Sequence, residues 1–283
     1  MRSVNPPDFD VAEVIKHLNV KDRDLRARVA NASHDLTTAE RSYASLAATG
    51  GLHKAVAKVA IAGLKHEELR QLYPRMRRNQ QARRLYNRIL LAVPNEECPL
   101  CGHGRAKSLD HFLPQSIYAH FSVTPANLVP ACTDCNTAKK AFIAATSQAQ
   151  LPHPYFDDLD RLNSDRWLAA RLTANAQTGG PAVAFSAKPP ATWAATEKSS
   201  VNNHFKIFEL AKLYASCAGT EFTNMRERLS ELEKQGPDLV EIHLRGEYRT
   251  HFSAHPNSWQ TAMYEALAGS ADFVKGGHKR IPQ

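Results

Sequence analysis

Long apolar runs are missing from this chain. The most apolar stretch, Ala55 to Leu64, is broken by Lys58 and is too short to span a bilayer. The opening MRSVNPPDFDVAEV lacks the basic-then-apolar pattern of a secretory signal. Cysteine is scarce, five in 283 residues, and four of the five fall in two CxxC pairs. That usage suits a metal and a reducing compartment better than disulfides. No internal repeat is visible, and no motif for reading bases. These absences argue against membrane and disulfide-rich secreted classes. The expectation is a soluble, cytoplasmic protein with no membrane partner.

Acidic residues are also missing between Arg70 and Arg88, where Arg70, Arg75, Arg77, Arg78, Arg83, Arg84 and Arg88 lie. A charge run is commonly a solvated helix face. This one leads straight into the cysteine pairs, and arginine forks match phosphate oxygens. Arg77, Arg78, Arg83 and Arg84 are therefore candidate nucleic-acid contacts. The formal net charge of +8 and the sequence pI of about 9.3 favour an anionic partner such as DNA. A hydrophobic content of 43% allows a sizeable core.

The periodicity predicts a mainly α protein. Helices are expected over Val11–Leu18, over Lys21 to Ala48 (ended by Gly50-Gly51), over Leu52–Leu64, and over Glu67–Tyr73 before Pro74. A further helix should place Leu85, Tyr86, Ile89 and Leu90 inward. Leu151 to Asp158 reads as a Pro-rich connector. Trp167–Leu172 reads as a short helix or strand, and Asn175–Pro190 as a hairpin. One helix is marked by Phe205, Phe208 and Leu213, and the next by Phe222, Met225, Leu229 and Leu232. A break at Gly236-Pro237 precedes another helix, and a last one carries Trp259, Met263 and Leu267. The tail from Gly276 to Gln283 is expected to fray, and Cys217 to sit in the core. The chain thus divides into an N-terminal helical region (1–92), a cysteine module (93–148) and a mostly helical C-terminal region (149–283).

The module reads CPLCGHGRAKSLDHFLPQSIYAHFSVTPANLVPACTDCNTAKK from Cys98 to Lys140. Two CxxC knuckles supply four soft thiolates, the ligand set of a structural Zn²⁺: Cys98, Cys101, Cys132 and Cys135. A strand is expected over Leu109–Leu113, a second over Asn127–Pro130, and a helix from Thr133 to about Ala144. Asp110 and His111, adjacent on a strand, must point to opposite faces. On the helix, Asn136 is turned about 100° from Cys135, and Lys139 shares its face. Each of these residues has a plainer reading: Asn127 as a turn cap, Asn136 as a helix-start residue, Lys139 and Lys140 as solvated charges. Their joint occurrence inside the double CxxC frame is what favours chemistry.

Residues 94–145 resemble the HNH endonucleases. The resemblance rests on Asp110-His111, Asn127 and Asn136 framed by the four cysteines. It looks like the His-Asn-Asn variant of the family, and it implies a small zinc-stapled ββα-metal module between helical regions. By this resemblance His111 is the general base, Asp110 and Asn136 bind a catalytic Mg²⁺ or Mn²⁺, and Asn127 holds the loop and orients His111. Lys139 and Lys140 contact the phosphodiester backbone. The implied products are a 5′-phosphate and a 3′-hydroxyl. A looser likeness, in Glu68–Tyr73, Arg84–Tyr86 and the Asp110–Gln115 run, is to the HNH subunit of Septu-type anti-phage systems, which works with an ATPase partner. The reading is a DNA endonuclease of phage defence or restriction. An RNA or toxin-like nuclease is the alternative within enzymes. A zinc-stapled DNA-binding or scaffold subunit, dormant without a partner, is the alternative outside them.

Overall fold

Side-chain caps decide where the first helices begin. Asp10 accepts from the Glu13 amide at 3.0 Å and Asp22 from the Leu25 amide at 2.7 Å, each satisfying a donor that the helix cannot. The helices that follow are α1 Val11–His17 and α2 Arg23–Asn31. Ala32 separates α2 from α3 Ser33–Ala48, so the 21–48 segment holds two helices. Gly50 ends α3 with φ +62°, as its glycine pair predicts.

The computed structural model describes residues 1–157, 159–236 and 238–282. They fall into two units, Met1–Leu159 and Asp160–Gln283. In the first, the helix expected over Leu52–Leu64 does not form. One 3-10 turn, Leu52–Lys54, precedes a small hairpin, β1 Ala60–Ile61 and β2 Leu64–Lys65. Ala62 and Gly63 take φ of +47° and +77°, the turn geometry that reverses a strand pair. The next expected helix is split into α4 His66–Arg70 and α5 Leu72–Arg78. Pro74 does not stop α5, because it lies in the first turn, where its missing N–H is harmless. Asn79 caps α6 Gln80–Leu90, which turns Ala82, Leu85, Tyr86 and Ile89 inward.

These helices share their core with the cysteine module. Val14, Leu36, Tyr43 and Met76 belong to the same buried cluster as Leu109, Phe121 and Leu128. Each fully buried leucine contributes about 1.5–3 kcal/mol. The expected connector is also part of this packing: Leu151, Pro152, His153 and Pro154 are buried, and the Tyr155 hydroxyl donates to the Leu128 carbonyl at 2.6 Å. Asp158 of that connector, Pro237 of the expected break and Gln283 of the tail lie outside the described residues.

The second unit is mostly helical. A short helix at the boundary, α8 Leu159–Ser164, leads to an antiparallel pair, β5 Leu168–Ala174 and β6 Pro181–Ala187. Asn175–Gly180 is therefore the turn of the hairpin rather than its first arm. Next come α9 Ala195–Ile207 and α10 Leu210–Gln235. Glu209, at φ +50°, divides them and places Leu213 on the same helix as Phe222, Met225 and Leu229. They are followed by α11 Leu239–Ala254, α12 Trp259–Ala268 and α13 Ala271–Val274. The tail does not fray as expected: Gly277–Arg280 forms a 3-10 turn with Gly277 and His278 buried, and the His278 ring donates to the Phe273 carbonyl at 3.0 Å. Cys217 is half-buried rather than part of the core. Among the described residues, no helix is long and apolar enough to cross a membrane.

Glu40 on α3 is buried and accepts from the Val11 amide at 2.8 Å. Burial pushes its carboxyl from 4.5 up to about 7, against the pull of that backbone bond. Between those two values the folded chain holds a proton that the unfolded chain has lost. The contribution of Glu40 to stability therefore falls as pH rises from about 4.5 to about 7, by roughly 3 kcal/mol. Between about pH 4.5 and about pH 8, urea unfolding should show wild-type stability falling by about that amount relative to Glu40→Gln, a difference that cancels the opposite, rising contribution of the buried His111, His120 and His153. An unchanged difference between the two proteins would remove Glu40 as the cause.

Candidate functional site

Two knuckles build the metal centre. In the first, the Cys98 amide donates to the Gly104 carbonyl and the Gly102 amide to the Cys98 carbonyl, both at 2.7 Å. In the second, Cys132 opens α7 Thr133–Lys139, its Sγ accepting from the Cys135 amide at 3.4 Å. The four Sγ atoms, all of buried residues, lie within 4.8 Å of one another. Those of Cys101 and Cys132 are 3.9 Å apart. Tetrahedral Zn–S bonds of ~2.3 Å would set sulfurs about 3.8 Å apart, so the four cysteines can hold a metal such as zinc. Gly104 permits this approach, since a Cβ there would lie 2.9 Å from the Cys132 Cβ.

From the first knuckle the chain enters β3 Ser108–His111. It pairs antiparallel with β4 Leu128–Ala131, placing Asp110 opposite Val129 and His111 opposite Leu128. Cys132 and α7 follow directly. The expected order of strand, strand and helix is present. The helix is shorter than its sequence suggests, because Lys140 takes φ +50° and ψ −138°, a region costly for any side chain.

Alternation along β3 sends Ser108 and Asp110 toward α7. The Asn136 side-chain Nδ2 donates to the Ser108 hydroxyl at 3.2 Å, and the Lys139 ammonium sits 2.9 Å from Asp110 Oδ2. The same ammonium donates to the His111 carbonyl at 2.6 Å. Lys139 is only 3% exposed, so it serves Asp110 and not a solvent-borne phosphate, correcting the contact expected of it. Lys140 faces solvent. Burial raises the Asp110 carboxyl above its ordinary value, and the pull of Lys139 offsets this only in part.

His111 points the other way. Its Nε2 donates to the Ser122 carbonyl at 2.8 Å, which leaves the lone pair on Nδ1. The Tyr73 ring meets it edge-on with centroids 4.5 Å apart. Burial lowers its pKa to about 4, so the ring is neutral near pH 7. Two helices grip the strand beside it: the Tyr73 hydroxyl donates to the Leu109 carbonyl at 2.7 Å, and the Tyr86 hydroxyl accepts from the Leu109 amide at 3.2 Å. Ser122 is itself fixed by a 2.5 Å bond to the Leu69 carbonyl.

Asn127 is fully buried and closes the loop between the strands. Its Oδ1 accepts from the Leu113 amide at 2.7 Å, and its Nδ2 donates to the carbonyls of Leu113 and Phe121 at 3.0 and 3.2 Å. These bonds tie Asn127 to both arms of the loop, while the His111 ring contact is made by Ser122, next to Phe121. Arg77, Arg78, Arg83 and Arg84 are exposed around the α5–α6 turn, and Arg83 also donates to the Arg77 carbonyl at 2.9 Å. Sequence reasoning missed Tyr73, Tyr86, Ser122 and Gly104. Ser108 alone carried a readable signal, being two positions before Asp110 and so on its strand face.

Metal analysis of the protein should find one zinc per chain. Cys132→Ser and Gly104→Val should each lower that occupancy and the unfolding temperature together; full zinc in Cys132→Ser would place the metal elsewhere. Removing the partner of a buried charge costs about 3–5 kcal/mol. Lys139→Met should lose stability of that order in urea, and adding Asp110→Asn should restore most of it. Additive losses in the double variant would show that the two charges do not depend on each other.

No family model matches the chain, and no solved structure matches it. Among known proteins it is similar to protein ea31 of Escherichia phage lambda, at 32% identity over 260 residues. The match covers 84% of this chain and 86% of that protein. Because the first unit ends at Leu159 of 283 residues, the likeness must take in part of the second unit as well. The chain belongs to the family of phage lambda protein ea31.

Proposed function

We propose that this chain is a metal-dependent HNH-type endonuclease that hydrolyses phosphodiester bonds in DNA. One observation carries the reading: Asp110 and Asn136 line the face between β3 and α7, while His111, the next residue of β3 with its ring on the opposite face, keeps a ring lone pair. The four cysteines would hold a structural zinc. Asp110 and Asn136 also suit a hard divalent cation. Lys139 faces one carboxylate oxygen, which leaves the other, and Asn136 uses its N–H on Ser108, which leaves its carbonyl oxygen. Mg²⁺ or Mn²⁺ held there would neutralise charge on the phosphate and the departing oxygen.

The chain's own residues do the rest. His111 takes a proton from water on Nδ1 as the water oxygen bonds to phosphorus and the bond to the 3′ oxygen breaks. The Ser122 carbonyl keeps the ring in the tautomer that can accept this proton. Asn127 holds the loop that positions Ser122. The departing 3′ oxygen takes a proton from a second water, so the products are a 5′-phosphate and a 3′-hydroxyl. No residue of this chain carries the ATPase partner or the defence role that the Septu likeness implies, so neither is part of the proposal.

The burial of Asp110 and its pairing with Lys139 favour a second reading, a zinc-stapled module that binds without cutting. Cleavage of plasmid DNA and of RNA, with Mg²⁺ or Mn²⁺ and with EDTA, separates the two. The nuclease reading expects ion-dependent DNA cutting that falls by about 10²–10⁴ in His111→Ala. Cutting of RNA alone would reassign the substrate. Zinc-loaded protein that cuts neither would favour the binding module.

A further inference from the structure

A cleft of about 840 Å³ opens between the end of α1 and the α5–α6 turn. Lys16, Lys21, Arg75 and Arg78 line it together with Asn79 and Gln81, and no Asp or Glu does. Lys16 pairs with the half-buried Glu13 at 3.9 Å, a long surface pair worth little. Arg75 is half-buried in the wall, its Nε covered and without a hydrogen-bond partner. Asn79 caps α6 at the rim, so the positive end of that helix dipole adds to the field.

Positive charge that Glu13 offsets only at the α1 end fits an anion, and guanidinium forks fit phosphate best. The lining has no Phe, Tyr or Trp, and its one ring, His17, is bonded to the Glu13 carbonyl, so it offers little platform on which successive unpaired bases could stack. We infer that this cleft binds the sugar–phosphate backbone of duplex DNA and does not read its bases. The choice of DNA rests on the nuclease reading; the anion site does not. The helix that carries Arg75 and Arg78 also carries Tyr73, which touches His111 and bonds to Leu109. A backbone held in the cleft is thereby tied to the strand that bears Asp110.

The test is fluorescence anisotropy with a labelled DNA duplex in EDTA, where nothing is cut, across a salt series. Lys21 and Arg78 are exposed, so alanine at both leaves the core intact, which zinc content and circular dichroism check. The double variant should flatten the plot of log K against log salt by about 1.8, two phosphates at ~0.9 each. Lys21→Gln alone, expected to flatten it by about 0.9, serves if the double variant does not fold. An unchanged slope would overturn the inference, as would the whole change appearing instead in an Arg83→Ala, Arg84→Ala variant. Single strands binding as well as the duplex would overturn the duplex part. Complete competition by inorganic phosphate would reduce the cleft to a small-anion site. Failure here and failure of the nuclease reading are distinct: a protein that binds through the cleft but never cuts upholds this inference alone.

Discussion

A buried cluster of four sulfurs sets the geometry at the centre of the first unit. Its two knuckles are separated by thirty residues, and closing a loop of that length costs about 3 kcal/mol of chain entropy. A structural zinc would offset this several times over. The consequence reaches beyond the knuckles. Ala131, which pairs with Ser108 and accepts from the Lys107 amide at 3.0 Å, adjoins Cys132, so fixing the sulfurs fixes the strand register. A slip of one residue would turn Asp110 toward Tyr73 and His111 toward α7, exchanging their surroundings. The division of labour between these two neighbours therefore depends on cysteines that touch neither.

The site is built from groups that resist burial. Asp110, Lys139, His111 and Asn127 are all among the buried polar residues. Each is tolerated for a different reason. Lys139 offsets the charge of Asp110, and the Asp110 carboxyl is still raised, so the pair sits close to the balance between desolvation and attraction. His111 escapes the problem by staying neutral. Asn127 makes three bonds to backbone groups that no strand partner could otherwise satisfy, so its burial orders a loop where an apolar side chain would leave donors unpaired. Such an arrangement holds only while the surrounding core supplies the missing stability, and that core comes mainly from α1 to α6.

The elements that were legible in the sequence are those whose signal is local. The cysteine pairs, the two short strands, the loop-closing Asn127 and the inward face of α6 all follow from spacing or alternation within a few residues. Lys139 was placed on the right helix face but misread, because that face packs on β3, where the Asp110 carboxylate takes its charge. Pro74 misled in the opposite sense: a proline that stops one helix is equally at home in the first turn of the next. Ala55 to Leu64 has a helical composition, yet Ala62 and Gly63 form a tight reversal that composition alone does not announce. Tyr73, Tyr86 and Ser122 act across long sequence separations, and nothing near them in the chain marks that role.

The helices ahead of the cysteines contribute more than packing. On α5, Leu72, Tyr73 and Met76 are buried against the core, while Arg75 and Arg78 line the basic cleft. One seven-residue helix therefore joins a surface that attracts anions to the strand that carries the candidate chemistry. A compact site with few protein groups of its own gains from contacts made elsewhere along a polymeric substrate, because remote binding can hold the reacting bond in place. The lack of any acidic residue from Arg70 to Arg88 has a physical sense in that setting. One carboxylate there would pair with an arginine, weaken the field and repel the phosphates. Neither stability nor solubility demands such a one-sided run, since mixed charges would serve both.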